Sequence, residues 1–287
     1  MPIPAPSVAL LPSLLTMANA GCGLLAISKA IDALAAGAGS QQYHDLLEAS
    51  CWLVLLAMIF DALDGKVARL TDSSTPMGAE LDSFADAITF GVAPAMVAKT
   101  MLEAEHMFHP RLNFLAVAMF SLLAVVRLAR FNLTTEAGEE HHRFFTGLPS
   151  PAAAGTLVAT ILMCLSLGGG NEGSGEQATA VGRGLAFLPE EFRMRLTSFL
   201  QPVVFALLPI LGLLMVSQVR YRHAAAGAAN QRSGQATLVK FTVILLLLYL
   251  APVPSLFVIG YAYVLRGLWD AWRERQSGRS DSFRKAG

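Results

Sequence analysis

The stretch Cys51-Trp-Leu-Val-Leu-Leu-Ala-Met-Ile-Phe60 runs directly into Asp61-Ala-Leu-Asp64-Gly65-Lys66-Val-Ala68-Arg69, with no turn residue between the two parts. Together with the residues before it, this gives a segment over 46–69, long enough to cross a hydrocarbon core of about 30 Å. A single segment in lipid can satisfy its own backbone groups only as a helix. The spacing therefore fixes where the acids lie: Asp61 and Asp64, three residues apart, share a face with a rise of about 4.5 Å between them, and Ala68, four further on, shares it too.

Working outward, similar apolar runs predict spans near 14–36, 78–101, 112–131, 149–168 and 200–219, followed by a long apolar tract over 238–271. The composition agrees: 54% hydrophobic and 15% charged residues, with a mean hydropathy of +0.51, belong to a membrane protein. The predicted fold is an all-α polytopic transmembrane bundle. In the last tract Pro252 and Pro254 disfavour an unbroken helix, leaving one kinked span or a tight hairpin of two. Charge favours the hairpin. The loop near 37–45 carries no Lys or Arg and the next loop on that side only Arg111, whereas Lys66, Arg69, Arg127, Arg130, Arg143, Arg220, Arg222, Arg232 and Lys240 collect on the other side. The basic tail from Arg266 to Lys285 belongs on that cytoplasmic side as well, which needs an even number of spans. About eight are expected: a six-span core over 1–219 and a C-terminal hairpin with its tail over 220–287.

No Lys or Arg precedes Lys29, so the first run reads as a mature helix rather than a cleaved signal. Basic and acidic residues balance at 21 each, which argues against a nucleic-acid partner and leaves membrane lipid. Cys22, Cys51 and Cys164 sit in apolar runs without metal-site or disulfide spacing. The Gly-rich stretch 167–175 lacks the Lys-Ser/Thr ending of a phosphate cradle and reads as a flexible loop. Lys29 and Asp32, three apart, are expected to pair.

After eight intervening residues Arg69 is followed by a second acidic helix, Gly78-Ala-Glu-Leu-Asp82-Ser-Phe-Ala-Asp86, whose acids are four apart and again share a face. The short polar linker Thr71-Asp72-Ser73-Ser74-Thr75-Pro76 makes the two helices an antiparallel pair whose acidic faces can meet. A charge near the bilayer centre costs about 3 kcal/mol, and four carboxylates together also repel, so a cation belongs among them. Hard divalent ions with oxygen ligands, Mg2+ or Mn2+, suit such a set. Gly65, Ala68 and Gly78 are small either to admit a ligand or to let helices pack closely.

The pattern Asp-x-x-Asp-Gly-x-x-Ala-Arg, eight residues, Gly-x-x-x-Asp-x-x-x-Asp resembles in full the signature of the CDP-alcohol phosphatidyltransferase family. Phe90-Gly-Val-Ala-Pro-Ala95, Arg127-Leu-Ala-Arg-Phe-Asn132 and Phe145-Thr-Gly-Leu-Pro-Ser-Pro-Ala-Ala-Ala154 are similar to its serine-using branch, as are Pro12 to Gly23 and Met215 to Tyr221. The resemblance implies transfer of the phosphatidyl group of CDP-diacylglycerol to the L-serine hydroxyl, with release of CMP. It implies Asp61, Asp64, Asp82 and Asp86 as metal ligands in a two-ion site, with Asp86 also the proposed general base, and leaves open whether Asp86 binds metal, takes the proton or does both. It assigns Gly65, Ala68 and Arg69, with Asp72 and Gly78 nearby, to the nucleotide and its phosphates. Thr16 and Asn19 are read either as nucleotide contacts or as polar links between helices. Arg127 and Arg130, with Asn132 beside them, are read either as binders of a phosphate or the serine carboxylate, or as anchors of the fourth span at the cytoplasmic surface. A homodimer in a bacterial inner membrane, with its site facing the cytoplasm, is the implied setting. Competing readings are a sibling transferase with another acceptor alcohol, a prenyltransferase, whose two acidic motifs lie far apart in sequence, and an ion or proton transporter, which predicts flux across a sealed vesicle and no need for CDP-lipid.

Overall fold

The computed structural model describes residues 6–71, 75–136, 144–168, 188–222 and 234–285; Asp72, Arg143, Arg232 and most of the Gly-rich stretch lie outside them. Helices α1 (Pro6–Ala36) and α2 (Gln41–Leu70) form an antiparallel pair. Their connection turns on Gly37 and Gly39, whose φ angles of 85° and 82° favour glycine. Ser40 caps α2 by accepting the Tyr43 amide at 3.0 Å. Helix α3 (Pro76–Asp86) starts where its sequence directs, with Pro76 in the first turn and the Thr75 hydroxyl accepting the Gly78 amide at 3.0 Å.

Helix α3 runs through a π-helical turn, Ala87–Val92, into α4 (Ala93–Ala104). There the widened turn loosens the regular backbone ladder, and α5 (Pro110–Glu136) answers it: the Ser121 hydroxyl donates to the Gly91 carbonyl at 3.1 Å. Helices α6 (Ser150–Gly168) and α7 (Glu190–Val216) complete the bundle. The core sits where α4, α5, α6 and α7 meet, around Phe90, Ala98, Phe120, Leu157, Ile161 and Leu208. Six helices, α1, α2, the continuous α3–α4, α5, α6 and α7, are long and apolar enough to cross a bilayer. Their outward residues, among them Leu14, Phe114, Leu122 and Leu213, are exposed and apolar, as lipid contact requires. The protein is an integral membrane protein.

Two features refine the helical expectation. Strands β1 (Phe144–Thr146) and β2 (Arg220–Arg222) pair antiparallel into a small ribbon that ties the start of α6 to the end of α7. The ribbon's exit is fixed by Gly147, at φ 90°, where a Cβ atom would stand 2.2 Å from the Met215 carbonyl oxygen. The final apolar tract forms two helices, α8 (Gly234–Leu250) and α9 (Pro252–Lys285). The Ser255 hydroxyl donates to the Leu247 carbonyl at 3.0 Å, although eight residues of straight helix would span about 12 Å. The chain therefore turns sharply at the prolines. Helix α9 packs along α6, whereas α8 touches the bundle chiefly through its junction with α9. The expected Lys29–Asp32 pair does not form; the ion pair found among the described residues is Lys99–Glu103, at 2.7 Å.

Candidate active site

The acids gather at the ends of α2 and α3. Asp61, Asp64 and Asp82 each bring a carboxylate oxygen within 4.8 Å of the others. Asp86, one turn beyond Asp82, lies within electrostatic reach of Asp61 and Asp82. No ion pair is found at any of these carboxylates among the described residues, and one oxygen of Asp82 is buried without a hydrogen-bond partner. Three clustered carboxylates with an unanswered buried oxygen make a donor set that fits a hard divalent cation.

The backbones of α2 and α3 do not pack closely on each other; both rest on α1. A Cβ at Gly65 would meet nothing within 4 Å. Gly65 is exposed, and among the described residues no neighbouring helix packs against it. Gly78 has a local duty, since a Cβ there would lie 3.0 Å from the capping Thr75 hydroxyl. Ala68 is half-buried and Arg69 exposed on the same helix end.

Helix α1 supplies the support. Thr16 Oγ1 lies 2.9 Å from Asp64 Oδ2 and 3.0 Å from the Pro12 carbonyl, and Asn19 Nδ2 donates to Asp86 Oδ1 at 3.3 Å. Both residues are buried, so the alternative of polar links between helices is realised, and the links end on the acids themselves. The Asn19 carbonyl in turn accepts the Thr89 hydroxyl at 3.2 Å, from the π-helical turn. Gly23 permits this approach: a Cβ there would stand 2.5 Å from Thr89 Oγ1.

Opposite the acids, the two arginines of α5 part company. Arg127 is 9% exposed; its Nη1 donates to Ser150 Oγ at 2.6 Å, and its Nε is buried without a partner. Asp86 and Tyr263 of α9 both act on its guanidinium electrostatically. Arg130 is exposed and reaches the Val216 carbonyl at 3.5 Å. Asn132 Nδ2 donates to Ser83 Oγ at 2.9 Å, tying the end of α5 to α3 between Asp82 and Asp86. Ser83, Thr89, Ser150 and Tyr263 were not singled out by sequence reasoning. Ser83 and Ser150 fall inside quoted motifs, whereas nothing in the spacing around Thr89 and Tyr263 marks them.

An intramembrane bundle with a carboxylate pocket at the mouth of two helices, faced by a buried guanidinium, is the class this architecture defines. The family model for CDP-alcohol phosphatidyltransferase matches residues 9–189, and the chain belongs to that family. It is 29% identical over 219 residues to a CDP-diacylglycerol–serine O-phosphatidyltransferase of Helicobacter pylori (strain ATCC 700392 / 26695), covering 76% of this chain and 78% of that protein. It is 34% identical over 164 residues to a protein of the same name from Mycobacterium bovis, covering 56% of this chain and 52% of the relative. An archaetidylserine synthase of Methanothermobacter thermautotrophicus is 40% identical over 149 residues, covering 51% of this chain and 55% of the relative. In the last two comparisons the match spans about half of the relative's length.

Proposed function

We propose that the protein transfers the phosphatidyl group of CDP-diacylglycerol to the hydroxyl of L-serine, forming phosphatidylserine and CMP, in a divalent-metal-dependent reaction. The observation that carries the reading is the meeting of Asp61, Asp64 and Asp82 within 4.8 Å, beside Asp86 and opposite the buried Arg127. In this reading Asp61, Asp64 and Asp82 hold Mg2+ or Mn2+, in a two-ion site that Asp86 completes. The ions, when bound, neutralise charge on the phosphoryl oxygens and on the departing CMP. Gly65, Ala68, Arg69, Asp72 and Gly78 form the nucleotide end, where the missing side chain of Gly65 lets cytidine phosphates approach the helix. Thr16 and Asn19 orient the acids from α1.

The serine hydroxyl oxygen attacks the lipid-side phosphorus while the bond from that phosphorus to the CMP oxygen breaks. Asp86 takes the hydroxyl proton, a role open to a carboxylate beside the reacting centre and within reach of its partners. Arg127 receives the acceptor's anionic end; Arg130 lies at the membrane surface, and Asn132 fixes Ser83 and with it the helix that carries both Asp82 and Asp86. Residues 1–219 hold the acids, and 220–287 add the ribbon's second strand, the two last helices and a basic tail suited to anionic lipid. We place the site on the cytoplasmic side of a bacterial inner membrane, where the Lys and Arg residues gather and free serine is available, in a homodimer.

The test is purified protein with CDP-diacylglycerol, Mn2+ or Mg2+ and a panel of acceptors: serine, glycerol phosphate, inositol phosphate and choline. Serine-dependent CMP release is expected. Release only with another alcohol moves the protein to a sibling activity, and ion flux across sealed vesicles without any need for CDP-lipid replaces the reading with transport.

A further inference from the structure

We infer that the acceptor's carboxylate is held in a subsite built by Arg127 together with Tyr221 of the ribbon and Tyr263 of α9, so that the C-terminal part of the chain selects for an amino-acid acceptor. This rests on the function proposed above. Two buried polar groups lack partners here: Arg127 Nε on a residue more than nine-tenths buried, and the Tyr221 hydroxyl on a residue only 1% exposed. Tyr263 connects them, stacking on Tyr221 with ring centroids 5.7 Å apart and interacting electrostatically with Arg127. Burial pushes the Tyr221 phenol up to about 12, so it stays protonated and can donate. A buried donor left unanswered is destabilising, so a ligand that answers both donors gains by it.

The donors define the ligand's chemistry. One guanidinium fork beside neutral phenols matches a planar monoanion, whereas a phosphate dianion calls for more positive charge. The diphosphate of the lipid donor has its place on the opposite, acid-lined side. Geometry adds a second constraint: in serine the hydroxyl oxygen and the carboxylate are separated by two carbon atoms, so base and anion holder must lie close together. Arg127 lies within electrostatic reach of Asp86. The placement of α9 is not loose. A Cβ at Gly267 would stand 2.1 Å from the Tyr221 ring and one at Gly260 would stand 2.9 Å from Thr156 Oγ1, while the Tyr261 hydroxyl lies 3.2 Å from that of Thr160. These contacts set Tyr263 at a fixed height against Arg127. Both tyrosines lie beyond residue 189, where the family match ends, so the subsite adds an acceptor-specific wall to the shared acid site.

The experiment measures CMP release by the full chain in lipid nanodiscs with L-serine and with serinamide, which keeps the hydroxyl and amine but lacks the negative charge. The wild type should prefer serine by at least about 10-fold in kcat/KM, from a charged hydrogen bond worth about 1.5–3 kcal/mol. Tyr263→Phe and Tyr221→Phe should each raise the serine KM several-fold and, combined, erase most of the preference, with a smaller rise in the serinamide KM, while the KM for CDP-diacylglycerol stays within about two-fold. Thermal melts of these near-isosteric variants check folding, and Tyr263→Leu serves as a second variant. Unchanged serine KM in folded variants, or equal losses with both acceptors, overturns the subsite while leaving the proposed activity standing. No CMP release with serine from the wild type overturns both.

Discussion

The two sides of the site are made in different ways. On the acid side, all four carboxylates come from 26 residues of chain, Asp61 to Asp86, on two helices joined by a short linker. On the other side, Arg127, Ser150, Tyr221 and Tyr263 come from α5, α6, β2 and α9 and meet only because the bundle closes. The acid side stays open, with α2 and α3 held apart; the basic side is packed, with its guanidinium hydrogen-bonded and largely buried. Chemistry shared across a family needs the first design, because a metal-binding face fixed by local spacing survives changes elsewhere. Choice of acceptor suits the second, where one distant substitution can reshape the pocket.

If the acid side carries the chemistry, its removal gives the largest effects. Asp61→Asn, Asp82→Asn and Asp86→Asn should each lower kcat by about 100-fold or more, the scale of a lost general base or a lost ion. Their melting temperatures in detergent should hold or rise, since each change removes one of several crowded like charges. Chelation of wild-type protein should abolish CMP release, and added Mn2+ or Mg2+ should restore it. Full activity in chelator would remove the metal from this account and, with it, the reason for the acids to meet.

The next effect sharpens the contrast between the sides. Arg127→Lys keeps a charge but loses the planar fork, and should raise the serine KM about 10- to 100-fold while changing the CDP-diacylglycerol KM little. A rise confined to the lipid substrate would reassign Arg127 to the donor phosphates. Thr16→Val should act on the acid side instead, more mildly. It removes the hydroxyl that reaches Asp64 at 2.9 Å and should shift half-saturating Mn2+ about 10-fold upward, with kcat at saturating metal nearly kept. A loss of kcat that metal cannot rescue would show that Thr16 serves the nucleotide instead.

This contrast also explains what the sequence made legible. The acids were readable because i, i+3 spacing in one helix and i, i+4 spacing in the next each dictate a shared helical face, and polar Thr16 and Asn19 stood out against apolar neighbours. Their target was not readable: Thr16 meets Asp64 across 48 residues and Asn19 meets Asp86 across 67, which no local period encodes. The six long helices followed from run length, and the break at the prolines followed from residue type. The ribbon did not, because three-residue strands leave too short a pattern, and the π-helical turn did not, because Ala87–Val92 has no breaker to mark it. Tyr263 was hidden for a further reason: it belongs to an aromatic-rich helix in which Tyr261, bonded to Thr160, and Trp269, exposed, look no different by composition.

The smallest predicted effect is the sharpest test of whether the basic side is one arginine or two. Arg127 and Arg130 stand one turn apart on α5 and share every sequence feature that suggested anion binding. The first is buried on Ser150; the second is exposed. An exposed arginine at a helix end contributes little through its charge, because water screens it. Arg130→Ala should therefore change kcat/KM for serine by no more than about three-fold, against the large loss for Arg127→Lys. Comparable losses in the two variants would mean that the acceptor reaches the surface end of α5, and that the packed pocket around Ser150 is only half of the subsite.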